Sequence, residues 1–204
     1  SQIDSFDNEK YAVQEYSYEW VITSLKQANL LISVQRSDDA NEICEQIYEI
    51  SVTLKDDPQT LHWAVLMNLA DYNLQNKNFT QAERYLREQT RWLDSREIPL
   101  DAEERGWIYN KMGIAYLNEG QFGKSEEMLT MAEQILLPIY GEQSQEYATI
   151  LHNKGRLAQL EGNLNEAKSL LEKSANIQIE VSGKVGAKTS QYLEEVNHAI
   201  DVRL

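Results

Sequence analysis

Cysteine, proline and long apolar runs are scarce in this 204-residue chain, and each scarcity excludes a class of protein. The single cysteine, Cys44, cannot form an intrachain disulfide, so nothing indicates an oxidising compartment. Only 3 prolines and 9 glycines occur, which is few for a loop-rich all-β protein. No apolar run approaches the ~20 residues that a membrane-spanning helix needs. No signal-peptide pattern stands at the N-terminus, so a cytoplasmic location is the default expectation.

Positive charge is also scarce, because 19 Lys and Arg stand against 33 Asp and Glu, for a net charge of -14. Such a surface repels nucleic acid unless a local basic groove overrides it, and no run of Lys and Arg suggests one. The acidity favours solubility, or alternatively a preference for basic partners. The chain begins at Ser1 rather than Met, so we expect it to be part of a longer protein.

Motifs that carry catalysis or bind metals and cofactors are missing as well. The three histidines, His62, His152 and His198, form no HExxH or His-x-x-x-His pair, so a helical metal site is unsupported. No glycine-rich phosphate loop is present. Adjacent acids at 38–39, 56–57 and 126–127 are interpreted as helix caps and solvated faces rather than an acid/base pair. We therefore expect no enzymatic activity, no cofactor and no metal.

A repeat of about 42 residues organises what is present. Three series of small or apolar residues run through the chain with successive spacings of 42, 43 and 42 residues. These columns are Ala28, Ala70, Gly113 and Gly155; Ala40, Ala82, Ser125 and Ala167; and Cys44, Leu86, Leu129 and Leu171. Small residues let two antiparallel helices pack closely, and each helical hairpin covers the open face of the next one. Cys44 lies in the third column, which predicts a buried, inert thiol.

The columns predict an all-α protein of four helical hairpins with a closing helix. First helices are expected over 10–35, 58–76, 101–119 and 144–161, and second helices over 37–54, 79–95, 122–139 and 164–182. These give repeats over about 10–54, 58–95, 101–139 and 144–182 within one domain of residues 1–204. A capping helix over 187–203 is expected to shield the last open face with Tyr192, Val196 and Ala199.

Helix ends carry their own signals. Asp57 and Pro58 have the N-cap and first-turn pattern. Asn78 with Gln81, and Asn163 with Glu166, have capping-box spacing. Gly120 and Gly162 stand where the chain must turn through a left-handed conformation.

The motif Tyr109-x-x-Met112-Gly113-x-x-Tyr116, followed by Ser125-x-x-x-Leu129 and Ala132, resembles the tetratricopeptide repeat consensus. The usual period is 34 residues, and the longer period here is similar to that of kinesin light chains. Residues 137–148 and 179–189 resemble the connections between repeats in those proteins. The resemblance implies a right-handed α-α superhelix, a solenoid that serves as a scaffold for a protein or peptide.

The resemblance also implies that the first helices line a concave peptide-binding face. Carried over position by position, the candidate contacts are Lys26, Asn29, Asn68, Asp71, Asn110, Lys111, His152, Asn153 and Arg156. Asparagine both donates and accepts hydrogen bonds, so it can hold the backbone of an extended peptide of any sequence. The alternative is that a solvated face is simply polar.

Three functions remain open from the sequence. The array is an interaction scaffold, or it is the peptide- or ligand-sensing part of a larger bacterial regulator. A third possibility is self-association into a homodimer through an exposed terminal face, which the weakly matching first repeat and the tail at 202–204 suggest.

Overall fold

The computed structural model describes the backbone of residues 3–34, 36–53 and 61–203, and the side chains of residues 18–34, 36–53 and 61–202. Over those ranges the chain forms nine α-helices and no strand. They are α1 (Ile3–Ser33), α2 (Ser37–Thr53), α3 (Leu61–Gln75), α4 (Phe79–Ser95), α5 (Glu103–Asn118), α6 (Phe122–Tyr140), α7 (Gln145–Glu161), α8 (Leu164–Ser182) and α9 (Ala187–Arg203).

The chain divides into two compact units. Residues 1–92, here called unit 1, contain α1 to α3 and most of α4, and residues 93–204, called unit 2, contain α5 to α9. Each unit is described by itself below. The sequence prediction that residues 1–204 form one domain stays a prediction.

The helix boundaries follow the 42-residue register closely. The bounds of α4, α8 and α9 are those predicted, and both ends of α5, α6 and α7 lie within two residues of the predicted ends. The prediction for α1 was wrong, because this helix begins at Ile3 rather than near residue 10. No glycine or proline precedes Ser33, so nothing in the sequence interrupts a helix there. The predicted cap at Asp57 and Pro58 lies outside the described residues.

The three columns are buried, as predicted. Every member of the second and third columns has at most 2% of its surface exposed. A Cβ atom added to Gly113 would lie 2.7 Å from Leu129, and one added to Gly155 would lie 2.8 Å from Leu171. The Ser125 hydroxyl donates a hydrogen bond to the Gly113 carbonyl over 2.8 Å. The small residues therefore occur where paired helices approach most closely.

In unit 2, each helix packs against its neighbours in the chain. Consecutive helices from α5 to α9 are in contact, and α7 also contacts α5 and α9. Leu117, Leu129 and Leu157 form one buried cluster, which joins α5, α6 and α7. Tyr147 and Ile177 belong to a second cluster between α7 and α8. These contacts between neighbours are those of a helical repeat array.

The last helix, α9, covers the exposed side of the final hairpin. Val196 is fully buried against Ala158 and Leu171, and Tyr192 and Ala199 pack around it. The predicted capping role of residues 187–203 is therefore confirmed.

Unit 1 has its own core. Helices α1, α2 and α3 are in mutual contact. Fully buried apolar side chains come from all four of its helices: Val21, Ala28, Ile47, Val65, Leu66, Leu69, Ala70, Ala82 and Leu86. The ring centres of Trp63 on α3 and Trp92 on α4 lie 5.1 Å apart.

The capping predictions were correct at the glycines and wrong at one asparagine. Gly120 (φ 73°) and Gly162 (φ 84°) have the left-handed conformation that was expected. Asn163 precedes α8 but its side chain makes no capping hydrogen bond, because its backbone (φ -81°, ψ 62°) is not extended. Ser144 is extended (φ -125°, ψ 153°), and its hydroxyl accepts a hydrogen bond from the Tyr147 amide.

Candidate functional site

Two of the predicted contact residues meet in unit 1. Asn68 on α3 donates a hydrogen bond from Nδ2 to Oδ1 of Asn29 on α1, over 3.2 Å. Lys26, one turn before Asn29 on the same helix, is exposed. The side chains that the sequence assigned to successive repeats therefore lie next to one another on the surface of this unit.

A cavity of about 200 Å³, here called the unit 1 pocket, lies beside that asparagine pair. Asn29, Asn68 and Asp71 line it, so three predicted contact residues from two repeats open into one space. Cys44 from α2 lies at its wall and is only 1% exposed. Burial raises the pKa of the Cys44 thiol to about 11, against a smaller opposing effect of its hydrogen bond with Asn68. The raised pKa favours the protonated thiol at neutral pH. The prediction of a buried cysteine is confirmed, since Cys44 is 1% exposed.

In unit 2 the two predicted contact asparagines, Asn110 and Asn153, are buried. Asn153 on α7 donates a hydrogen bond to Oδ1 of Asn110 on α5 over 2.9 Å. Asn110 is 4% exposed and Asn153 is 8% exposed. Their amides thus join two neighbouring first helices, and little of either side chain faces a ligand.

The other predicted residues of α7 make contacts with neighbouring helices. Arg156 donates a hydrogen bond to Oδ1 of Asn118 over 2.7 Å, and its guanidinium lies 5.4 Å from the centre of the Tyr192 ring. Nδ1 of His152 is 2.9 Å from the hydroxyl of Thr189. Burial, and next the positive charge of Arg156, lower the pKa of His152 to about 4. The imidazole is therefore neutral at pH 7. Lys111, on α5, is half-buried.

Comparisons with known proteins agree with the helical repeat architecture described above. The family model described as tetratricopeptide repeat matches residues 104–180. The matched range includes the motif around Gly113, so the resemblance stated from that motif is confirmed.

Solved structures with the same fold extend the likeness to most of the chain. The crystal structure of BtubC (BKLC) from P. vanneervenii has a TM-score of 0.68 at 15% identity, covering 92% of this chain and 84% of that one. A putative kinesin light chain of Podosopora anserina, with nearly identical TPR-like repeats, has a TM-score of 0.66 at 19% identity, covering 90% and 88%. A second crystal structure of that light chain gives 0.68 at 18% identity, covering 90% and 87%. No curated protein matches. The fold class is thus an all-α repeat fold like that of kinesin-light-chain-like arrays.

A polar network around the buried Ser51 and His62 in unit 1 was not found from the sequence. Ser51 Oγ lies 2.9 Å from Nδ1 of His62, and the other ring nitrogen lies 3.2 Å from a carboxylate oxygen of Glu88. The Tyr48 hydroxyl donates to the same carboxylate. Tyr48 and Glu88 are 40 residues apart, close to the 42-residue spacing of the columns, and that separation is the one signal that could have indicated the pair.

The residue types of a catalytic triad are present in Ser51, His62 and Glu88, but the serine is not accessible to a substrate. Ser51 is fully buried, and its hydroxyl donates its proton to the Tyr48 carbonyl over 2.7 Å. A triad requires a serine whose oxygen reaches the substrate and whose proton passes to the histidine. The network therefore joins α2, α3 and α4 within the core of unit 1.

Two further findings concern the described residues as a whole. Among them no group of three or more His, Cys, Asp or Glu side chains is placed to hold a metal ion. Within the same ranges, no helix combines the length and apolar character required to cross a bilayer.

Proposed function

We propose that this protein is an interaction scaffold that binds a segment of a partner protein on a surface formed by its first helices. Each unit has such a surface, here called its first-helix surface, made by α1 and α3 in unit 1 and by α5 and α7 in unit 2. The proposal assigns the strongest ligand contacts to unit 1, where the predicted residues are accessible.

The observation that carries the proposal is the convergence of Asn29, Asn68 and Asp71 on the unit 1 pocket. The repeat register selects these positions independently of the cavity. Amide side chains beside a cavity suit a peptide, because they can donate to and accept from its backbone. Asn29 is exposed and Asn68 is half-buried, so both amides lie within reach of a ligand.

Unit 2 contributes differently under this proposal. Lys111, His152 and Arg156 are partly exposed and are proposed to contact a ligand at the first-helix surface of this unit. Asn110 and Asn153 are proposed to hold α5 and α7 in place, since their burial and mutual hydrogen bond leave them little contact surface. The tetratricopeptide fold supports the general function, because such repeats bury their apolar faces against one another and leave an extended surface for a partner.

Affinity capture with matched variants tests this function. The chain is immobilised, a captured partner is identified, and the shortest peptide of that partner that binds is defined by calorimetry. We expect Asn68→Ala to weaken binding of that peptide by about tenfold, the equivalent of about 1.4 kcal/mol. Asn76→Ala is the control, because Asn76 is an exposed residue following the same helix that does not line the pocket.

The outcome is decisive in either direction if both variants keep the wild-type circular dichroism spectrum. Loss of affinity in Asn68→Ala alone supports binding at the first-helix surface of unit 1. Equal binding by wild type, Asn68→Ala and Asn76→Ala would place the contact elsewhere and refute the proposed site. Asn153→Ala is unsuitable for this test, because its amide stabilises the fold.

A further inference from the structure

Two aromatic rings and a carboxylate meet at the surface of unit 2, where α5 begins and α6 ends. The ring centres of Trp107 on α5 and Tyr140 on α6 lie 6.2 Å apart, with an angle of 59° between the ring planes. Both residues are partly exposed, and Glu103, one turn before Trp107, is exposed. These three residues, here called the aromatic site, lie outside the buried clusters of unit 2.

The Glu103 carboxylate is held in place by both aromatic side chains. Its Oε1 accepts a hydrogen bond from Nε1 of Trp107 over 3.3 Å and another from the Tyr140 hydroxyl. Within the described part of the chain, Oε2 accepts no hydrogen bond, and no lysine or arginine forms an ion pair with Glu103. Arg105, the nearest arginine in the sequence, is 2% exposed and donates to Asp94. An accessible carboxylate oxygen is therefore left for a ligand.

The electrostatic environment of the aromatic site is negative. The hydrogen bond to Glu103 is the largest of the causes that raise the pKa of Tyr140, and the negative charge of Glu146 is another. Glu146 lies in the first turn of α7, so carboxylates of two helices act on this ring. An anionic ligand would be repelled here. The faces of tryptophan and tyrosine rings attract cations, which makes a positively charged ligand the matching one.

A guanidinium group suits this arrangement better than an ammonium group does. The Nε1–H of Trp107 points outward from the edge of the indole, so the Glu103 carboxylate lies beside the ring and not over its face. A planar guanidinium can stack on a ring face while its N–H groups donate to a carboxylate at the edge. An ammonium is a compact, strongly hydrated charge, and it gains less from the ring.

We propose that the aromatic site binds one arginine side chain of a partner segment. The guanidinium stacks on the exposed part of the Trp107 ring and donates to Oε2 of Glu103. Trp107 lies one turn before Lys111 on α5, so the aromatic site adjoins the first-helix surface of unit 2. The inference rests on the proposed function, because it names one residue type that this surface selects.

Blocked single amino acids test the aromatic site without knowledge of the partner. The probes are the N-acetyl, N-methylamide forms of arginine, lysine, citrulline and glutamate, titrated at constant ionic strength into the full ¹⁵N-labelled chain. The chain has four tryptophans, and the indole signal of Trp107 is the one that Trp107→Phe lacks. We expect arginine to shift this signal. Citrulline, which has the shape of arginine without its charge, should bind about fivefold more weakly. Lysine should bind more weakly than arginine, and glutamate should produce no shift.

Two variants assign the binding to the carboxylate. Glu103→Gln should weaken binding of the arginine probe by about fivefold. Glu104→Gln is the control, because it removes the same charge from the next residue of α5, which is also exposed, and it should change nothing. An equal loss in both variants would show attraction by the acidic surface in general and would overturn the proposal. Equal binding of citrulline and arginine to the wild-type chain would overturn it even if Glu103→Gln failed to fold.

The same variants separate this inference from the proposed function. A partner segment that is weakened by Asn68→Ala, but binds Glu103→Gln as tightly as the wild type, would refute the arginine site and leave the scaffold function standing. A chain whose partner is insensitive to Asn68→Ala, but whose Trp107 signal still responds to the arginine probe, would refute the proposed contact in unit 1 alone.

Discussion

At the scale of single residues, the small side chains of the columns determine how closely the helices pack. Gly113 faces Leu129 and Gly155 faces Leu171, and in both cases the leucine fills the space that a Cβ atom would need. Gly123, in the first turn of α6, has no atom within 4 Å of its virtual Cβ. Glycine is therefore needed for close helix packing at position 113, whereas position 123 has room for a side chain.

Gly113→Ala is expected to lower the free energy of unfolding by about 1–3 kcal/mol, because overpacking forces Leu129 to move. Gly123→Ala is the matched control. It should leave stability unchanged or raise it by up to about 1 kcal/mol, since alanine favours a helix more than glycine does. Urea unfolding followed by circular dichroism measures both. Equal effects of the two substitutions would contradict the close approach at Gly113.

At the scale of the helix pair, the hydrogen bonds between asparagines of neighbouring first helices differ in burial between the units. Asn68 and Asn29 pair at the surface of α1 and α3, whereas Asn153 and Asn110 pair in the interior between α5 and α7. At the surface, water replaces a lost hydrogen-bond partner. A buried acceptor that loses its donor stays unsatisfied, because water does not reach it. The same substitution therefore has different consequences in the two pairs.

Asn153→Ala should lower the free energy of unfolding by about 1–3 kcal/mol, because it leaves Oδ1 of Asn110 buried without its donor. Asn68→Ala should cost less than about 1 kcal/mol, because water replaces the lost partner. Chemical denaturation of both variants under identical conditions provides the comparison. A larger cost for Asn68→Ala than for Asn153→Ala would show that the burial of the two pairs is misassigned.

The stability of the contact between α7 and α9 is expected to depend on pH, because His152 of α7 lies against Thr189 of α9. The pKa of His152 is lowered from 6.5 to about 4, so between these values the unfolded chain binds more protons than the folded one. The free energy of unfolding should consequently fall, by up to about 3 kcal/mol, as the pH drops from about 6.5 to about 4.

Urea unfolding between about pH 4 and pH 7 measures this dependence. His152→Gln should flatten it, because glutamine does not take up a proton in this range. His198→Gln, at an exposed position of α9, is the control and should follow the wild type. The same slope in His152→Gln and in the wild type would show that His152 does not cause the acid sensitivity.

At the scale of the whole molecule, each unit has its own buried core. The clusters around Leu129, Tyr147 and Val196 lie entirely within unit 2. Because helical repeats are stabilised mainly by contacts between neighbours, a group of complete hairpins with a cap can retain its fold when separated.

The fragment 93–204 is therefore expected to unfold cooperatively on heating, with a helical circular dichroism spectrum. The shorter fragment 93–186 lacks α9 and exposes Leu171 and Ala158 where Val196 covered them. It should melt at a lower temperature. A fragment 93–204 without a cooperative transition would contradict an independent core in unit 2.

The sequence by itself determined the helices and their pairing. Three columns in one register located the close contacts at Gly113 and Gly155 and the buried Cys44, because packing two helices closely demands small residues at fixed intervals. The close contact of Gly106 with Leu136 lies outside these columns. The sequence also named Asn29, Asn68 and Asp71 as candidate contact residues, and the structure brings these three to one pocket.

Only the tertiary structure decided which polar residues are accessible. The position two residues before the small column is half-buried at Asn68 but almost fully buried at Asn153, because burial depends on the neighbouring helices and not on the repeat register. The Ser51, His62 and Glu88 network likewise required three helices to meet. The unit 1 pocket formed where side chains of α1, α2 and α3 leave space between them, and such a gap has no signature in any one helix.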